Sequence, residues 1–108
     1  MRTILVLFSL ATAAILVPVQ LRAQDVMITI KNHRFTPSEV KVPANKRIQV
    51  TVVNDDPTPE EFESREMKVE KVIPSKGEAV VNVRAQKAGR YEFFDEFNEK
   101  ARGTLIVE

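Results

Sequence analysis

Four acids occupy two short stretches of this chain. Glu61 and Glu63 flank Phe62 in PEEFES, and Asp95 and Glu96 end YEFFDE. In an extended segment residues i and i+2 face the same way, so Glu61 and Glu63 share one side while Phe62 turns to the core. Carboxylates that converge repel one another, which raises their pKa values unless a cation is present. Oxygen donors of this kind suit Fe3+, Mn2+, Ca2+ or Mg2+, and take Fe2+ or Cu2+ with less selectivity. The plainer alternative is a solvated acidic face, in a chain 29% charged, paired with Lys68, Lys71 and Lys100.

Softer donors are scarce. The chain has no Cys and a single His, His33, in the turn-like KNHRF. A lone His there reads as a capped or solvent-facing turn residue before it reads as a ligand. Met67, in REMK, is an exposed soft donor for copper at best, and Met27 alternates with apolar neighbours and reads as packing. Phe35, Phe62, Phe93, Phe94 and Phe97 are expected to fill the core and its rim, keeping the acids partly dry.

The inventory also excludes. Without Cys there is neither disulfide nor thiolate chemistry, and with no Cys or His partner for a nucleophilic Ser, hydrolase triads are excluded. Three glycines give no phosphate-cradling loop. A sugar cleft between paired carboxylates needs more chain than this. What remains for turnover is oxidation of Fe2+ at a metal site within a transport system.

The elements that would position the acids read as strands. VMITIKN alternates Val26, Ile28 and Ile30 against Met27, Thr29 and Lys31, and RIQVTVVN repeats the period with Ile48, Val50 and Val52. Glu39 to Val42, EFES, KVEKVI, EAVVNVR, YEFFDE and GTLIVE read as further strands. Thr36-Pro37-Ser38, Pro43-Ala44-Asn45, DDPTPEE and Pro74 to Gly77 supply turn chemistry. A turn and a short loop separate YEFFDE from the closing strand GTLIVE. About seven short strands at this spacing predict an all-β, Greek-key sandwich or barrel.

The first residues differ in kind. Arg2 precedes an apolar run from Ile4 to Val19, and Ala23 precedes polar Gln24, the pattern of a secretory signal peptide over 1–23. The alternative is an uncleaved anchor, for which the run is short. The domain is then 24–108. Arg2 and Arg22 fall in the leader, leaving 14 basic against 15 acidic residues, a balance that gives nucleic acid no footprint.

ITIKNHRFTPSEVKVPANKRIQVTVVNDD resembles the first half of a cupredoxin, and AGRYEFFDEFNEKARGTLIVE its second half. A blue-copper member would place a His before Phe62, a Cys at the end of the Tyr91 strand, a second His three residues on, and a Met beyond. Here those places hold Glu60 and Glu61, Asp95, Asn98 and Ala101. A His2Cys electron-transfer centre cannot be built from them.

PEEFESREMKVEK and FFDEFNE are similar to a carboxylate-rich subgroup, the cupredoxin-like domain of periplasmic iron-uptake proteins that accompany a high-affinity iron permease. The resemblance implies a metal site of Glu61, Glu63, Glu70, Asp95 and Glu96, for iron or copper, in a periplasmic protein. It implies delivery or oxidation of iron beside a permease or another inner-membrane transport component. The subgroup follows its DEF with His, where this chain has Asn98. The competing expectation is a metal-free interaction module that docks onto a membrane-complex partner.

Overall fold

The computed structural model describes residues 24–108 together with Thr3, so the signal-peptide reading of 1–23 lies outside the described residues. From Gln24 onward the chain forms nine strands and no helix among the described residues. They are β1 (Gln24–Lys31), β2 (Arg34–Thr36), β3 (Glu39–Val42), β4 (Ile48–Asn54), β5 (Glu60–Ser64), β6 (Val69–Ile73), β7 (Glu78–Val83), β8 (Gly89–Asp95) and β9 (Asn98–Val107). Two sheets face each other, one ordered β2-β1-β4-β7 and the other β3-β9-β8-β5-β6. The all-β sandwich expected from the alternation is the fold observed.

Alternation explains the packing. Along β4 the side chains of Ile48, Val50 and Val52 are buried while Gln49 is exposed, so the strand lays one face on the core. Ile28 and Ile30 of β1 and Val81 and Val83 of β7 continue that face, and Phe62, Ile73, Phe93, Leu105 and Val107 meet it from the other sheet. Phe62 stacks on Phe93 at 4.8 Å between ring centroids, and Phe35 stands edge-on to Phe93 at 5.0 Å.

Two elements differ from the sequence expectation. Asn32 and His33 both take positive φ (52° and 57°) and close a two-residue turn, because Lys31 pairs directly with Arg34. Positive φ at both central residues matches the twist of a hairpin, so β2 folds back on β1 as an extra strand. The closing strand starts at Asn98 rather than near Gly103, and Asp95 pairs with Asn98 across a turn of Glu96 and Phe97. No loop is left there. Residues 98–102 become ladder, and Arg102 reaches across it to pair with Glu92.

Register then places the ends of strands. β1 and β4 run parallel with Ile30 opposite Asn54, so the Asn32–His33 turn and the loop after Asn54 emerge side by side. β5 lies between β8 and β6, which brings the β8–β9 turn against its first residues.

Candidate metal centre

β5 is the organiser. Its odd and even positions face opposite ways: Phe62 enters the core, 1% exposed, while Glu61 and Glu63 face away from it. Glu63 stands opposite Glu70 of β6 in the register, and Glu96 comes from the β8–β9 turn. One carboxylate oxygen from each of Glu61, Glu63, Glu70 and Glu96 lies within 4.8 Å of the others.

The electrostatics follow from that convergence. Glu61 is only 2% exposed, and its Oε1 has no hydrogen-bond donor; Glu63 is half-buried, and its Oε2 has none either. Burial first, then Glu70, Glu96 and Glu63, pushes Glu61 up to about 7. Glu63 is also raised, by desolvation and then by Glu96 and Glu70. Buried oxygens without donors, among like charges, are what a cation would relieve.

Asp95 is not part of this group. It is fully buried, and its Oδ1 accepts the Glu61 N–H and the Phe97 N–H, both at 3.0 Å. It therefore ties the start of β5 to the β8–β9 turn, while its Oδ2 meets no donor. Its charged neighbour is Glu60, not the outer acids. So of the five acids expected together, four converge and Asp95 stands on the other side of the strand as a brace.

A second constellation went unread in the sequence. His33 Nδ1 lies 2.8 Å from Glu60 Oε1 and 3.8 Å from Asp56 Oδ2. Asp56 and Glu60 are buried; the His33 side chain is half exposed. Desolvation alone would raise Asp56, but the Asn32 N–H (2.7 Å) and His33 N–H (3.0 Å) that it accepts outweigh this and hold it below its usual value. Glu60 goes the other way, up to about 8, through burial and then the Asp95 and Asp56 carboxylates. Only the parallel β1–β4 register joins these residues, and periodicity cannot report it. The signal available was two turn-rich ends, KNH and NDDPTPEE, on strands of equal period.

Other expectations are corrected by burial. Met67 is not an exposed donor but a core residue, 3% exposed, its N–H bonded to Ser64 Oγ. Met27 is 63% exposed rather than packed, since it lies on the outer side of β1. Phe94 is buried as expected, 8% exposed, but outside the main core cluster, with the Arg65 and Arg102 guanidinium groups 5.2 Å and 5.6 Å from its ring centroid. Phe97 is 58% exposed. Among the described residues, Lys68, Lys71 and Lys100 make no ion pair with any carboxylate, so the outer acids are not neutralised that way.

This sandwich can be set beside known proteins. The model of the cupredoxin-like domain matches residues 1–107. The chain belongs to the cupredoxin-like domain family. An uncharacterized protein of Rickettsia prowazekii (strain Madrid E) is 38% identical over 84 residues, covering 77% of this chain and 67% of that protein. The metal-binding domain of the Streptococcus pneumoniae Cu(I)-exporting P-type ATPase CopA superposes with a TM-score of 0.71 at 19% identity, over 78% of this chain and 84% of that one. Amicyanin from Paracoccus versutus gives 0.62 at 20% identity, over 82% and 86%. A purple cupredoxin from Nitrosopumilus maritimus gives 0.60 at 20%, over 78% and 100%. At these identities the structures speak for the fold alone.

The cupredoxin-like fold raises the question of a blue-copper centre, and the donors here do not fit one. Asp95 ends β8 where a thiolate would stand, and the chain holds no Cys to replace it. The outer acids fit a hard cation instead: four carboxylates, with two oxygens lacking any other partner.

Proposed function

We propose that this cupredoxin-like protein binds iron through Glu61, Glu63, Glu70 and Glu96 and assists its uptake in the periplasm, handing it to an inner-membrane permease. The observation that carries the reading is the meeting of four carboxylates within 4.8 Å, with buried, donor-free oxygens on Glu61 and Glu63. Hard oxygen donors match Fe3+ and accept Fe2+. A cation would replace the proton that burial and like charge hold on Glu61, so binding releases protons and strengthens as pH rises. Asp95 positions the group by fixing the Glu61 and Phe97 backbone. The periplasmic setting and the permease follow from the signal-like leader and the resemblance of PEEFES and FFDEF to the iron-uptake subgroup.

The test is thermal unfolding of the full chain with anaerobic Fe2+, an Fe3+ chelate, Cu2+, Mn2+ and Ca2+ each titrated in. A saturable rise with iron, diminished in Glu63→Gln and Glu70→Gln, is the expected result, since a ligand of the folded state raises its midpoint by mass action. No rise with any ion removes the reading. A rise with Cu2+ alone would transfer it to copper, the metal named for the Streptococcus domain.

A second reading has its own observation. Phe97 and Val72 are 58% and 52% exposed and border one cavity, an apolar rim suited to a protein partner. A metal-free docking module would use that rim, and its unfolding would ignore all five ions.

A further inference from the structure

We infer that the chain carries a second cation site, formed by His33, Asp56 and Glu60 on the opposite side of β5 from the outer acids and suited to a borderline divalent ion, Cu2+ or Zn2+. It does not depend on the outer acids holding iron.

The donor set differs in kind. One imidazole and two carboxylates each offer an atom, all within 4.8 Å of one another. Imidazole nitrogen moves the preference away from the hardest ions and toward Zn2+ and Cu2+. Around an ion with bonds of about 2.0–2.2 Å, tetrahedral donors sit roughly 3.3–3.6 Å apart. His33 Nδ1 is 2.8 Å from Glu60 Oε1 and 3.8 Å from Asp56 Oδ2, so one gap opens slightly and the other closes slightly. The half-exposed His33 ring has the freedom to make that adjustment.

The carboxylates are held before any ion arrives. Asp56 accepts the Asn32 and His33 N–H groups, and its own N–H is bonded to Asn54 Oδ1 at 2.9 Å. Each carboxylate oxygen keeps a further lone pair for a metal. A separate observation points to a missing ligand. Asp95 is 0% exposed, lies against Glu60, and has an Oδ2 with no donor among the described residues. Access exists: His33 and Glu60 line an open cavity of about 390 Å³ with Thr58, Pro59, Val72 and Phe97, ample for a hydrated ion.

Because His33 is the only His in the chain, a spectroscopic nitrogen signal is unambiguous. The full chain would be loaded with one equivalent of Cu2+ and measured by pulsed electron paramagnetic resonance, which detects the remote nitrogen of a bound imidazole. The modulation is expected in the parent and in the Glu63→Gln/Glu70→Gln double variant, and absent in His33→Asn. Asn tolerates the positive φ at this turn, so that variant is expected to fold. Replacing partners that merely orient a ligand costs about 10–100-fold in affinity, so loss of the ligand itself is expected to weaken Cu2+ and Zn2+ binding about a hundredfold. Glu60→Gln, nearly isosteric, should weaken both ions while its metal-free unfolding remains cooperative. Cu2+ that binds without imidazole modulation, or with equal affinity in His33→Asn, overturns the proposal. Loss of binding in the double variant alone, with no nitrogen signal in the parent, would assign the ion to the outer acids and also overturn it.

Discussion

Glu60 and Glu61 are consecutive residues whose carboxylates belong to different sides of one sheet. Glu60 Oε1 sits 2.8 Å from His33 Nδ1, while Glu61 Oε1 meets no donor and lies among Glu63, Glu70 and Glu96. Both are almost wholly buried. The pleat of β5 thus divides the acidic stretch into an imidazole-bearing set and an all-carboxylate set, separated by one strand of backbone.

That burial sets a direction for pH. Glu60 and Glu61 are raised from about 4.5 to about 8 and about 7, so the folded chain holds their protons more tightly than the unfolded chain does. Their contribution to stability is full below the unfolded value and is lost as pH rises through the folded ones. Asp56 is lowered, so its contribution is present above 3.8 and lost only in stronger acid. Between pH 5 and pH 8 the metal-free midpoint should therefore fall. Each ~1 kcal/mol moves the midpoint of a domain this size by about 4–8 °C, so scanning calorimetry will resolve it. Glu61→Gln should flatten the fall; a midpoint that climbs over this range would contradict the burial of these acids.

Charge removal should act oppositely with and without a cation. Glu70 faces Glu63 directly across the β5–β6 ladder, a like-charge pair that weakens a sheet. Glu70→Gln should raise the metal-free midpoint. With an ion at a hundred times its dissociation constant the parent gains about 2.7 kcal/mol, and a site weakened a hundredfold retains only ~0.4 kcal/mol. The variant is then the more stable protein without the ion and the less stable with it. Unfolding curves with and without saturating iron will show whether the order reverses.

Much of this was legible from the residues. Period-two alternation identified the strands, and the i, i+2 spacing put Glu61 and Glu63 on one side with Phe62 inward. What eluded the sequence depended on pairing. The strand Arg34–Thr36 exists because Asn32 and His33 accept positive φ, and neither is a glycine that would advertise it. Residues 98–102 looked like loop because Asn98, Glu99 and Lys100 carry no apolar alternation; their ladder is fixed by Asp95 and by Arg102. Met67 looked exposed in a polar run, yet the turn after Ser64 folds it inward. The His33–Asp56–Glu60 set requires two parallel strand ends to meet, a relationship over 23 to 27 positions that no local pattern encodes.

Asn54 should prove the anchor of the loop that carries Asp56 and Glu60. It is 1% exposed, its Nδ2 donates to the carbonyls of Thr58 (2.9 Å), Ile73 (3.1 Å) and Pro74 (3.1 Å), and its Oδ1 accepts the Asp56 N–H. Asn54→Ala leaves several of these groups buried without partners, each costing about 1–3 kcal/mol, so a loss of roughly 3 kcal/mol is expected. Denaturant unfolding measures it. Faster amide exchange confined to residues 55–60 in a still-folded variant would locate the damage; an unchanged midpoint would mean the loop is held by other contacts.

Gly103 tests the packing behind both acidic sets. It pairs with Phe93 across β8 and β9, and a Cβ placed on it would run into the Phe93 ring and come 2.8 Å from the Ser38 carbonyl oxygen. Phe93 cannot yield freely, because it stacks on Phe62 and meets the edge of Phe35. Gly103 has no positive φ, so any cost of Gly103→Ala is steric rather than conformational. Overpacking of this kind costs about 1–3 kcal/mol. Phe62 lies between Glu61 and Glu63, so a displaced Phe93 pushes the ligand-bearing strand as well. Gly103→Ala should lower both the metal-free midpoint and the midpoint gain on adding cation. The double variant Gly103→Ala/Phe93→Leu, which makes room for the new methyl, should recover part of each; failure to recover either would place the strain on the Ser38 carbonyl instead.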